Sequence, residues 1–247
     1  MLDGLKSEFR KLFTVRSTYA IFAASLLLVA LFAGFGDGFR GTAASLQRPD
    51  VLTSESASAI VFVGLILAFA GLLLVGHEYR YTTIMYTLTA NNRRVKVLLS
   101  KFLTVSAFAV ATSLIVAAFS PLCTIIGAHL HGNHLGPQQF DYWSVLWRSA
   151  FVGWGYAMYA FILILILRNQ VGSIVTFLLI PLIGENIISH IFTNSGQYMP
   201  FTMLQAVAVP QRLGNNTTTA HAAIVSLVYV GVGLLVSIVL FLKRDAN

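Results

Sequence analysis

The sequence predicts an all-α integral membrane protein: six transmembrane helices, an N-terminal interfacial helix, a short cytoplasmic helix between spans two and three, and an outer re-entrant hairpin before span six. Three observations carry this expectation. Apolar residues make up 57% of the 247 and charged residues 10%, whereas soluble domains hold roughly a quarter charged residues, and the mean hydropathy is +0.78. Six largely uncharged stretches can each hold about 20 helical residues, the length of a ~30 Å hydrocarbon core. The Lys and Arg residues stand in short groups beside those stretches, as topology signals do.

The elements follow in chain order. Within residues 1–16, Leu2, Leu5, Phe9, Leu12 and Phe13 fall at helical spacing, with Asp3, Lys6, Ser7, Arg10 and Lys11 on the other side. That pattern suits a helix lying at the membrane interface. The spans are placed at 18–35, 57–75, 102–126, 146–167, 171–188 and 222–242, the fifth reaching full length only by running through Glu185. A signal peptide is the weaker reading of the first, because its apolar run is too long and lacks a cleavage site. Residues 76–101 form a polar loop whose middle, 81–90, has Ile84, Met85 and Leu88 spaced for a short amphipathic helix. Residues 189–221 hold an apolar run, 199–209, too short to cross and bracketed by Pro200 and Pro210, hence a re-entrant or outer-leaflet hairpin. No internal repeat or linker interrupts 1–247, which reads as one membrane domain.

With the N-terminus inside, twelve Lys and Arg fall on the cytoplasmic side and four (Arg40, Arg48, Arg148, Arg212) outside. This bias predicts a multi-pass protein of the cell membrane with both termini cytoplasmic. The net charge of +7 is therefore assigned to topology and anionic-lipid contact, not to nucleic acid. The single cysteine, Cys123, excludes an intrachain disulfide and reads as a small buried hydrophobe. No GxxxxGK[ST] phosphate loop, HExxH or GxSxG occurs, so no catalytic residue is assigned and the chain is not expected to hydrolyse ATP.

Polar chemistry concentrates in the loop after span two: Glu78, Arg80, Thr82 and Thr83, then Arg93, Arg94 and Lys101. On the residues alone it fits equally a helix docking into a cytoplasmic partner and a basic loop holding lipid headgroups. In the fifth span Glu185 follows Pro181 and Gly184, where the helix is expected to kink and free carbonyls for Asn186. Arg148 is its expected partner. The pair reads first as a fold-stabilising contact under the outer hairpin, and second, with Asn186, as a gate or cargo contact. His129, His131 and His134 form a weak metal candidate in an outer loop, since no thiolate or carboxylate lies near in sequence. Tyr142, Trp143 and Trp147 fit an interfacial aromatic belt. Gly64, Ala68, Gly71, Gly153 and Ala157 fit close helix packing.

Glu78-Tyr79-Arg80-Tyr81-Thr82-Thr83, followed by Leu88-Thr89-Ala90, Arg93-Arg94 and Lys101, resembles the stretch between spans two and three of type-2 ABC transporter (ABC-2) permeases. There an acid, a small residue with threonine, a short coupling helix, a basic residue and a lysine entering span three recur in this order. Thr82 stands where that family often has glycine, and Asn91-Asn92 where it often has proline. The layout of interfacial helix, six spans and hairpin is similar as well. The resemblance implies the permease subunit of an ABC exporter, paired with a second copy as a homodimer and with two ATPase subunits that bind ATP and Mg. Glu78, Arg80, Thr82, Thr83, Ile84, Met85, Leu88, Arg93, Arg94 and Lys101 would couple to them. The cargo implied is hydrophobic or amphipathic, such as a peptide antibiotic, drug, lipid or glycan carrier, moved by alternating access. The family is chiefly prokaryotic. An ATPase-independent scaffold or channel-like subunit is the alternative.

Overall fold

In the computed structural model the described residues are 2–41, 49–81, 83, 94–135, 140–192, 195–209 and 218–243. The elements among them are helical throughout. Helix α1 (Leu2–Thr14) turns at Val15 into α2 (Arg16–Val29), which continues as a π-helix over Ala30–Phe39. Then come α3 (Pro49–Arg80), α4 (Arg94–Leu130) and α5 (Tyr142–Leu167). The fifth apolar segment is α6 (Gln170–Leu179), a π-helical turn (Ile180–Gly184) and α7 (Glu185–Ile191). A 3₁₀ turn (Ser195–Tyr198), the short α8 (Pro200–Ala208) and α9 (Thr219–Lys243) complete the order.

Six helical segments are long and apolar enough to cross a membrane: Arg16–Gly36, Ser56–Arg80, Val95–Leu130, Tyr142–Leu167, Gln170–Ile191 and Thr219–Lys243. The third differs most from expectation. Its helix, α4, has 37 residues, about 55 Å at 1.5 Å per residue, and so extends past 102–126 at both ends. The N-terminal extension carries Lys101 into the second turn of a helix instead of leaving it at a span boundary.

Spans two and four form the centre, and the α3–α5 contact is the most extensive in the bundle. Small residues make that approach possible. A Cβ added at Gly64 would overlap the Tyr156 ring, and one at Gly153 would overlap Ser113 and Leu67. The glycines and alanines expected to admit a neighbouring helix thus serve contacts within one chain. The fifth and sixth spans present most of their surface outward, with only 17% and 22% of their most apolar stretches buried, against 61% and 67% for spans two and four.

At Pro181 the missing N–H removes one helical hydrogen bond, and here the chain takes the π-helical turn. Asn186 Nδ2 then donates to the Leu182 carbonyl at 2.8 Å. Helix α8 is buried against α3, α5 and α9. Leu204 lies against Gly155, Gln205 Nε2 donates to the Tyr156 hydroxyl at 3.3 Å, and Tyr159 Oη donates to the Pro200 carbonyl at 3.3 Å. Gly155 stands roughly 20 Å along α5 from its start, so α8 dips deep beside that span.

Candidate functional site

Where the second span ends and the third helix begins, four charged side chains from three helices meet. Glu8 and Lys11 come from α1, Glu78 from the last turn of α3 and Lys101 from α4. Lys101 Nζ donates to Glu78 Oε1 at 2.6 Å and to Glu8 Oε2 at 3.1 Å. Lys11 Nζ donates to Glu8 Oε1 and to Glu78 Oε1, both at 2.9 Å. The Glu8 and Lys101 side chains are 4% exposed and that of Glu78 9%, while Lys11 keeps 43%. Two acids and two lysines cancel, which is what makes burial tolerable: an isolated ion there would carry a penalty of several kcal/mol.

The local reasons are plain. Helical spacing puts Leu5, Glu8 and Leu12 on one stripe of α1, and Glu8 and Leu12 are its buried members. Glu8 therefore faces the bundle and needs a counter-ion. Burial alone would depress the Lys11 ammonium, but the hydrogen bonds to Glu8 and Glu78 and their charges prevail and raise it above its ordinary value.

Two members of the cluster, Glu78 and Lys101, are among the residues the sequence singles out. Glu8 is missed, and Lys11 is assigned to the polar face. The available signal is an acid inside an apolar stripe, three residues after Leu5 and four before Leu12. Of the other loop residues, Arg80 is exposed, its guanidinium 5.5 Å from the Tyr81 ring centre, and Thr83 is exposed. Thr82, Ile84, Met85, Leu88 and Arg93 lie outside the described residues, as does the helix expected at 81–90 beyond its first residues. Arg94 opens α4.

The expected pairing of Glu185 with Arg148 requires correction. Glu185 Oε1 accepts the Phe201 N–H at 2.7 Å, and Oε2 accepts the Thr202 N–H at 2.8 Å and its hydroxyl at 2.7 Å. The carboxylate caps the N-terminus of α8, where unpaired backbone donors and the helix dipole both favour an anion. Arg148 lies over Trp147, 5.7 Å from the ring centre. The histidines do not converge either. The His129 and His134 rings are 5.8 Å apart while His131 packs on Phe39, and no group of three or more His, Cys, Asp or Glu among the described residues is placed to hold a metal.

The arrangement ties both ends of the polar loop to each other and to α1. A family model described as ABC-2 family transporter protein matches residues 4–184, from α1 to the π-helical turn of the fifth span. No curated protein matches the chain. With six membrane-crossing helices and this match over most of its length, the chain is a multi-pass membrane protein that belongs to the ABC-2 family of transporter proteins.

Proposed function

We propose that the chain is the permease subunit of an ATP-binding-cassette exporter, acting as a homodimer with two separate ATPase subunits that bind ATP and Mg. The observation that supports this best is the four-charge cluster at the two ends of the loop of residues 76–101. A push on the segment 81–90 by closing ATPases reaches α3 through Glu78 and α4 through Lys101, and because both are bonded to α1 the three helices move together. Rigid transfer of this kind is what alternating access requires of a coupling element. Glu78 and Lys101 are positioning residues here, with Arg80, Thr83 and the basic residues 93–94 at the contact surface. The spans offer a mostly apolar interior, consistent with a hydrophobic or amphipathic cargo, and both termini face the cytoplasm. Glu185 serves the hairpin first, and any gating role for it with Asn186 acts through the position of α8.

The test is purification of the tagged chain from its native host in mild detergent, with assay for a co-purifying nucleotide-binding subunit and vanadate-sensitive ATP hydrolysis. Both are expected. An ATPase-free oligomer that persists after crosslinking in intact membranes would overturn the proposal in favour of a scaffold or channel-like subunit. In the assembled complex, Glu78→Lys is expected to leave ATP turnover in place while abolishing transport.

A further inference from the structure

Beside the cluster, α1, the start of the first span and the end of the second enclose a cavity of about 370 Å³, within the ~300–1,000 Å³ range of small-ligand sites. Its walls are of two kinds. Leu12, Ile21, Leu73 and Leu74 form an apolar trough, and Lys11, His77 and Glu78 stand at its polar end.

The polar end is incompletely bonded. Glu78 is 7% exposed, and although its Oε1 receives both lysines, its Oε2 is buried without a hydrogen-bond partner. A buried acceptor in that state carries a desolvation penalty that a donor would remove. Lys11 is in the complementary condition. Its ammonium has three donors, two of them spent on Glu8 and Glu78, and its side chain is the exposed one of the four. An acceptor without a donor and an ammonium with a donor to spare thus belong to two side chains of the cavity wall. The ligand complementary to this is zwitterionic at one end and hydrocarbon at the other. The site also lies where the first span begins and the second ends, the level of the lipid head groups.

We propose that this cavity binds a membrane phospholipid with a primary-amine head group, of the phosphatidylethanolamine class. Its ammonium donates to Glu78 Oε2, which a turn of the carboxylate brings to the cavity, its phosphate accepts from Lys11, and an acyl chain runs along Leu12, Ile21, Leu73 and Leu74. A choline head group has no N–H to give to Oε2, and a glycerol head group brings no cation. Selectivity for the primary amine is thus the signature of the site, and it does not depend on the exporter assignment.

The experiment is native mass spectrometry of the full-length chain after incubation in detergent with equal amounts of phosphatidylethanolamine, phosphatidylcholine and phosphatidylglycerol. The wild-type protein is expected to retain one phosphatidylethanolamine per chain with a preference of about tenfold or more, as one charge-assisted hydrogen bond implies. Glu78→Gln is expected to lose the preference. Ala70→Trp, which fills the trough away from the charges, is expected to lose the lipid itself. Equal retention of the three lipids by the wild-type protein would overturn the proposal, as would undiminished selective retention by Ala70→Trp.

Discussion

Replacing Lys101 with methionine tests the cluster most directly. The substitution keeps a long unbranched stem but deletes the one buried cation among the described residues. Glu8 and Glu78 are then left to share Lys11, whose side chain is 43% exposed, and the cluster goes from neutral to a net charge of −1. Each attraction lost is about 4 kcal/mol at 4 Å with an effective dielectric of 20, and truncating one partner of a buried pair typically costs roughly 3–5 kcal/mol. The loss is read as a shift in the unfolding midpoint of the purified chain in detergent, followed by tryptophan fluorescence. Glu8→Gln supplies the second arm of a double-mutant cycle, because Glu8→Gln with Lys101→Met leaves Glu78 and Lys11 as a balanced pair. The double substitution is therefore expected to cost less than the two singles together by at least about 1 kcal/mol. Strict additivity, or a Lys101→Met protein within about 0.5 kcal/mol of wild type, would refute the electrostatic account.

Three further predictions follow from the geometry. Glu185→Ala leaves two backbone N–H groups and a hydroxyl at the start of α8 without an acceptor and is expected to cost roughly 2–4 kcal/mol, measured by thermal unfolding; adding Arg148→Gln should change this only additively, within about 0.5 kcal/mol. Gly64→Ala drives a methyl into the Tyr156 ring and is expected to cost about 1–3 kcal/mol, while Gly231→Ala, with open space around it, is expected to be neutral or stabilising by up to about 1 kcal/mol. Because folding raises the Lys11 pKa above 10.5, its contribution to stability is complete below that pH and is lost as pH climbs through the folded value. Denaturation midpoints should accordingly be less sensitive to pH above 10.5 in Lys11→Met than in wild type.

Much of the architecture is legible because bilayer thickness imposes a length on every apolar run, and length can be counted along a chain. The ends of the third helix are not, since nothing in a hydropathy window marks where a helix stops once it has left the hydrocarbon. At the site, Glu78 and Lys101 stand out as charges at the edges of apolar spans. Glu8 does not, because it lies among other charges in α1 and its partner Lys101 is 93 residues away. Only the stripe it shares with Leu5 and Leu12 betrays its direction. Glu185 shows the converse error. A carboxylate in an apolar segment invites a search for the nearest cation, and Arg148 answers it, yet the better partner is the N-terminus of a helix whose first residue, Pro200, is visible in sequence as a favoured N1 residue.

The span of sequence between Glu8 and Lys101 has a consequence for how the chain is made. Glu8 is synthesised early and its buried counter-ion 93 residues later, an interval of roughly 5–20 s at ordinary elongation rates. Throughout that time the first and second spans are complete or emerging while Glu8 has only the half-exposed Lys11 of its own helix as a counter-ion. Helix α1 packs chiefly on α4, so its docking can be completed only after the third span has been made. A Lys101 substitution is accordingly expected to disturb the docking of α1 and to leave insertion of the first two spans intact.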